Sequence, residues 1–328
     1  MIFFMSFYIW NPTTHPVDSK YTNKSAYKDT TNKKYYKFSG WNKSGEFNIT
    51  SNINISGSWD NGTSAPNMMD LGALTVGSTF LLGKYQVESE DPWDIEWEIV
   101  HQTNDYQIAM TKQIIDLRAF DGKEPTNTNS DRKNYGNNNW QYSNIEQFLN
   151  SDQANWYNAQ HTYDAPPTSD NVYHYDNGTT YNAYDTHKGF LYYWTADEKA
   201  LLRDMTLTLA NNTVTDGGGS YTWTGKVWLP TYTQMGGGQN NSISEGEAFS
   251  KFTDNTSRVK SLHDMVKANN EYCKVNNSSG NWWYWTSSAH PSSSSNVRAV
   301  YSGGSFGVSH AYLGNRGFAP CICLPRKS

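Results

Sequence analysis

A chain of 328 residues has room for one large domain and a smaller one. Only 17% of it is charged, with a formal net charge of -5 and no basic run, which excludes the electrostatic footprint of a nucleic-acid or anionic-membrane binder. Polarity comes instead from uncharged Asn, Ser and Thr, while aromatics reach 15%, more than disordered chains carry, so an aromatic-rich folded protein with long ordered loops is expected.

In chain order, residues 1–20 open on the apolar Met1-Ile2-Phe3-Phe4-Met5 and turn polar at Asn11-Pro12-Thr13. With no basic region and too few apolar residues, this reads as an arm docking onto a larger assembly or, equally, as a disordered leader, not as a signal peptide or membrane span. Residues 21–65 read as a small β-rich module, with strands at 35–41, 45–49 and 53–59 separated by Gly and Asn turns. A larger domain follows at 66–328. Residues 74–85 are strand-like, and 95–100 alternate strictly and should pair with 106–111 across a turn at 102–105.

Two helix starts carry capping boxes, Ser143 with Glu146 and Thr195 with Glu198. The first leads into Ile145, Phe148 and Leu149, the second into Ala200, Leu201, Leu202 and Met205, each a stripe facing a core. Between them, residues 155–188 are rich in Tyr, Asn, Asp and His and form a long excursion. Gly217-Gly218-Gly219 marks a hairpin tip, and 227–233 a buried strand running into a loop. Near the C-terminus, Trp282-Trp283-Tyr284-Trp285 and Ile322-Cys323-Leu324 are apolar frames, with Pro320 suited to the start of an edge strand.

Catalytic and metal constellations are missing from this pattern. The eight histidines show no zinc spacing. His161, His174 and His187, with Asp164, Asp176 and Asp185, read as solvated loop polarity, and Asp121 and Glu124 are loop carboxylates open to calcium. Cys273, Cys321 and Cys323 suggest a reducing compartment, and a bridge between Cys321 and Cys323 would be strained. No cofactor, metal or catalytic residue is expected. Binding remains, and its candidates lie between the two frames: Tyr284, Ser288, His290, Arg298, Tyr301, Ser305, Phe306, Ser309, His310, Tyr312 and Asn315. Rigid aromatics with adaptable Ser, Asn and His are the chemistry of a recognition surface.

The W-W-Y-W-T-S-S run at Trp282, the G-S-F-G-V-S turn at Gly304 and the N-R-G-F-A-P-C-I-C-L ending at Asn315 resemble C-type-lectin-fold domains. More narrowly, they resemble an uncharacterised domain of phages and Gram-positive bacteria, related to the variable proteins of diversity-generating retroelements. The V-G-S-T-F-L-L-G-K-Y, I-E-W-E-I-V, I-I-D-L-R-A-F-D and W-L-P-T-Y-T-Q-M-G segments extend the likeness to roughly residues 70–328. The F-S-G-W and I-S-G-S-W segments at 38–41 and 55–59 resemble a small β-rich repeat of bacterial cell-surface proteins.

These resemblances imply an α+β fold, a C-type-lectin-like domain with two helices and long loops, preceded by a small all-β module. They imply a phage virion surface protein, a receptor-binding or tail-fibre adhesin for host attachment, whose partners are a host cell-surface protein or glycan. Other virion proteins would be contacted through the N-terminal segment, and a homotrimer suits the fibre setting. No nucleic acid or membrane insertion is implied. The alternatives are a structural decoration protein of capsid or tail and a formylglycine-generating-type enzyme, whose paired cysteines Cys321 and Cys323 resemble but which we read as buried, unreactive thiols.

Overall fold

Alternating apolar residues build two five-stranded sheets in the larger unit of this computed structural model. The chain divides into Met1–Leu71 and Gly72–Ser328. The structure describes residues 74–173, 180–276, 278 and 280–326, together with the backbone of five strands before them. Those five are β1 (Phe4–Met5), β2 (Ala26–Asp29), β3 (Lys34–Trp41), β4 (Ile55–Trp59) and β5 (Thr63–Ser64), in the order β1-β4-β3-β2 with β5 also on β3. The expected strand at 45–49 and the rest of the predicted arm lie outside the described residues.

The first sheet of the larger unit is wholly antiparallel, in the order β12-β17-β8-β7-β6. Its strands are β6 (Thr79–Tyr85), β7 (Trp93–Gln102), β8 (Tyr106–Thr111), β12 (Val227–Trp228) and β17 (Cys321–Pro325). The expected β7–β8 hairpin forms, with Gln102 opposite Gln107. Pro320 precedes an interior strand, not an edge one, because β17 lies between β12 and β8. The second sheet runs β15-β14-β13-β16-β9, from β9 (Asp116–Leu117), β13 (Tyr284–Ala289), β14 (Asn296–Val300), β15 (Phe306–His310) and β16 (Gly317–Phe318). A separate hairpin pairs β10 (Met205–Ala210) with β11 (Ser220–Gly225).

The expected α+β, C-type-lectin-like class with two core helices is corrected by this architecture. Strand accounts for 29% of the chain and helix for 15%, and the helices are small. They are α1 (Ser130–Tyr135), α2 (Asn144–Leu149), α3 (Ala196–Ala200), α4 (Asn255–Arg258), α5 (Asp264–Asn269) and α6 (Glu271–Asn276). Helix α2 buries Ile145, Phe148 and Leu149 as expected but ends at Asn150. Helix α3 has the full Thr195–Glu198 capping box yet stops after five residues, and Met205 opens β10, where Leu207 and Leu209 are buried and Thr206 and Thr208 exposed. A two-residue period won there over the helical spacing, which was sustained for little more than one turn.

Much of the rest is irregular backbone stapled by asparagine. Asn138 Nδ2 donates to the carbonyls of Ser293 (2.7 Å) and Asn296 (2.8 Å). Asn150 Oδ1 accepts from the Lys226 and Val227 amides while its Nδ2 donates to the Val227 carbonyl, and Asn182 Nδ2 donates to Gly314 O at 2.7 Å. A buried loop must satisfy its peptide groups, and asparagine offers both donors and an acceptor on a short stem. The Asn-rich composition is in this part an internal hydrogen-bond supply.

Arg118, wholly buried, ties the parts of the larger unit together. Its Nε donates to Asp116 at 2.8 Å, and one Nη donates to Val87 O at 2.6 Å and Glu88 at 3.0 Å and lies 3.2 Å from His187 Nδ1. Burial alone would lower its pKa, but the Asp116 and Glu88 carboxylates outweigh that and raise it. Asp116 also accepts from Tyr85 Oη and Asn270 Nδ2, and the Arg118 carbonyl accepts from Trp285 Nε1. One cation thereby joins β9, the chain after β6, the excursion and β13.

Glu146 supplies a pH handle. Ser143 Oγ caps the Glu146 amide, but the carboxylate turns to Trp223 Nε1 (2.9 Å) and does not complete the capping box. Burial pushes Glu146 from its ordinary 4.5 up to about 7. The unfolded chain ionises first, so the contribution of Glu146 to stability is fully present below about pH 4.5 and is lost as pH rises to about 7, by about 2 kcal/mol once partial exposure is allowed for. Glu146→Gln, which keeps an acceptor for Trp223, is expected to flatten this part of the stability profile measured by urea unfolding at stepped pH; an unchanged slope would refute the assignment.

Candidate recognition surface

The outermost hairpin of the second sheet, β14–β15, organises the site. Its loop, Ser302-Gly303-Gly304, ends with Gly304 in the left-handed region (φ +82°), and Tyr301 N donates to Ser305 O at 2.8 Å. Helix α4 docks on this turn, with Arg258 Nε donating to Gly304 O at 2.9 Å. Along β14 the side chains alternate, so Asn296, Arg298 and Val300 share one side with their β15 partners His310, Val308 and Phe306. Val297, Ala299 and Tyr301 lie on the other, with Ser309 and Gly307.

On the first side, guanidinium groups and rings form one continuous stack. Arg298 lies 4.2 Å over the Tyr232 ring, Tyr232 is 4.6 Å from Phe306 edge to face, and Arg258 is 4.5 Å over Phe306. Ser288 Oγ accepts from the Tyr232 amide and donates to Glu245. Gly237 passes beneath Tyr232, where a Cβ would come within 2.4 Å of the ring.

The opposite side carries a second stack. Tyr301 covers Gly307, Trp283 stacks on Tyr301 at 3.8 Å, and Arg316 lies 4.5 Å over Trp283 while its Nε donates to Ser309 Oγ at 3.1 Å. Such contacts are worth about 0.5–2 kcal/mol each and hold the rings in one orientation. Farther along, His310 stacks on Tyr135 at 4.3 Å, and Tyr312 packs against Tyr135 and Tyr173.

The predicted binding residues therefore divide. Arg298, Tyr301, Phe306 and His310 are partly exposed in these stacks, Ser305 is exposed in the turn, and His290 is partly exposed beyond β13. Tyr284 is wholly buried and donates to Arg258 O at 2.6 Å. Ser288, Ser309, Tyr312 and Asn315 are also buried, at 0%, 6%, 5% and 4% exposure, so these five support the surface from below. Burial on both sheet faces near β13 explains this, since alternation there moves a side chain from one covered face to another. Tyr232, Trp283 and Arg316 complete the surface with Asn240 and Arg258 buried behind it, and none of these was among the predicted binding residues. They come from separate segments that only the tertiary fold joins.

The other chemical candidates are occupied by structural tasks. Both Asp121 oxygens accept backbone amides, from Asn144 (3.0 Å) and Asn137 (2.8 Å). Glu124 accepts from Asn127 and Asn137 and sits 3.0 Å from His161. His174 and Asp176 lie outside the described residues, while His161 and His187 contact different acids, Glu124 and Glu88. Among the described residues no group of three or more His, Cys, Asp or Glu is arranged to hold a metal. Cys321 and Cys323 are buried free thiols, and burial pushes Cys323 up to about 11, leaving the unreactive protonated form near neutral pH. No described helix is long and apolar enough to cross a membrane.

Comparison with curated proteins yields no match, and neither does comparison with solved structures. One family does match, over residues 104–326, a span that holds the second sheet and both stacks. That span is more than half of the chain, and the protein belongs to the family described as Domain of unknown function (DUF6273).

Proposed function

We propose that this protein is a recognition module that binds a cell-surface ligand, protein or glycan, through the β14–β15 hairpin, in the setting of a phage-type virion surface protein attaching to its host. The observation that carries this reading is the pair of Arg–aromatic stacks on the two sides of one hairpin, with Arg298, Tyr301, Phe306, Tyr232 and Trp283 all partly exposed. Rings held rigid before contact lose little conformational entropy on binding, and Tyr, Trp and Arg are the residues that dominate binding energy at interfaces. The virion setting rests on the sequence motifs.

The test is attachment of the fluorescently labelled chain to intact Gram-positive cells. Tyr301→Ala and Phe306→Ala, combined, are expected to weaken attachment at least about tenfold, the loss of one or two good interface side chains. Near-UV circular dichroism should stay native. Undiminished attachment by the folded double variant would sink the reading.

A further inference from the structure

We propose that Arg298 is an anion-binding element and that the ligand taken there carries a carboxylate or phosphate, the chemistry of an acidic or phosphorylated surface polymer. This rests on the recognition reading above and narrows it to a ligand class.

Arg298 is fixed on two sides and open on the third. Its Nε donates to Asn240 Oδ1 at 2.8 Å, and its guanidinium plane rests on Tyr232. Asn240 is itself wholly buried, its Nδ2 donating to Glu245 Oε1 and to Ala289 O, both at 3.0 Å. It opens a tight turn in which Asn241 (φ 51°) and Ser242 (φ 64°) are both left-handed and Asn240 and Ile243 exchange two 2.9 Å backbone bonds. That pattern is a primed hairpin turn, normally Asn-Gly, and the serine there marks a costly conformation retained in a segment that holds Asn240 in place.

The two Nη groups of Arg298 donate to no acceptor among the described residues, and no carboxylate there lies within ion-pair distance of it. Two buried or half-buried arginines contrast with this: Arg118 is paired with Asp116 and Arg132 with Asp216. Nearby Arg258 is held only by neutral acceptors, the carbonyls of Gly304 and Met235 and Asn255 Oδ1, so its charge adds to that of Arg298. The acid behind Asn240, Glu245, is buried, with its oxygens taken by Ser288, Asn240 and the Ala210 amide; burial pushes its pKa up against the opposing pull of those hydrogen bonds and of the Arg298 charge. Burial and then Arg298 hold His290 down, so it stays neutral near pH 7. A guanidinium fork oriented in advance, with its Nη edge free and no carboxylate of the described residues within ion-pair distance, suits a planar carboxylate or a phosphate.

The experiment measures binding of the full chain to immobilised polysialic acid, poly(glycerol phosphate) and neutral dextran at low and moderate salt. Binding to one of the two anionic polymers is expected, weakening as salt rises, and which one binds separates carboxylate from phosphate. Arg298→Gln should lower the affinity at least about tenfold and Arg298→Lys several-fold, because lysine keeps the charge without the fork. Lys133→Gln, an exposed cation elsewhere, should leave it unchanged. Failure to bind either anionic polymer, or undiminished binding by folded Arg298→Gln, overturns the proposal. If cells are still bound and only the Tyr301 and Phe306 variants lose attachment, the recognition reading stands and the anion is refuted; if those variants also attach normally, recognition through this hairpin falls with it.

Discussion

Arg118→Met is expected to destabilise the larger unit by about 3–5 kcal/mol, the cost of leaving a buried carboxylate without its cation. Asp116 is fully buried, and after the substitution it keeps only the Tyr85 hydroxyl, the Leu117 amide and Asn270 as donors. The side chain lost also holds Val87 O, Glu88 and His187, so the chain after β6 and the excursion lose their common anchor. The double variant Asp116→Asn/Arg118→Met should recover about 1–2 kcal/mol of that, because the uncompensated charge is gone while an acceptor for Leu117 and Asn270 remains. Denaturant unfolding of both variants decides the matter. A double variant no more stable than the single one would show that Arg118 acts through packing and its carbonyl contacts, not through charge.

Gly304→Ala is expected to cost about 2–4 kcal/mol and to weaken the proposed attachment with it. Two effects combine: the left-handed conformation penalises any side chain by about 1 kcal/mol, and a Cβ here would stand 1.7 Å from the Asn255 carbonyl oxygen. Because backbone faces backbone, the turn and α4 must separate, which withdraws Gly304 O from Arg258 and loosens Arg258 from Phe306. The adjacent Gly303 is the control, for a Cβ there meets nothing within 4 Å. Gly303→Ala should change stability by less than about 0.5 kcal/mol. Equal losses at both positions, read as shifts in the denaturation midpoint, would refute this account of the turn.

The two stacks also mark what could be anticipated from residues alone. Strands with a clear two-residue period were legible, as at 95–100 and 106–111, because alternation is a local consequence of the pleat and the Gln102–Gln107 hairpin closes within a few residues. Caps were legible for the same reason: Thr195 and Glu198 are three residues apart and need no partner elsewhere. Helix length was not, since α2 and α3 stop after one or two turns where the chain turns to sheet and loop contacts, and that is why the expected α+β class gave way to a β-rich one.

For the candidate site, local sequence determined the residue types and the hairpin that carries them: Arg298, Tyr301, Phe306 and His310, on either side of a Gly-rich turn. It could not separate these from Tyr284 or Tyr312, which share their chemistry and are buried, because side-chain exposure depends on what the rest of the chain lays over each face of the sheet. Nor could it supply Tyr232, Asn240 and Arg258, which come from a loop, a two-residue turn and a short helix far from the hairpin in sequence. The sequence by itself determined an aromatic, asparagine-rich chain with a C-terminal hairpin, through local periodicity and turn chemistry. Only the tertiary structure decided which rings stay partly exposed, which asparagines staple loops, and that Arg298 keeps its Nη edge free, because each of these depends on contacts between segments distant in the chain.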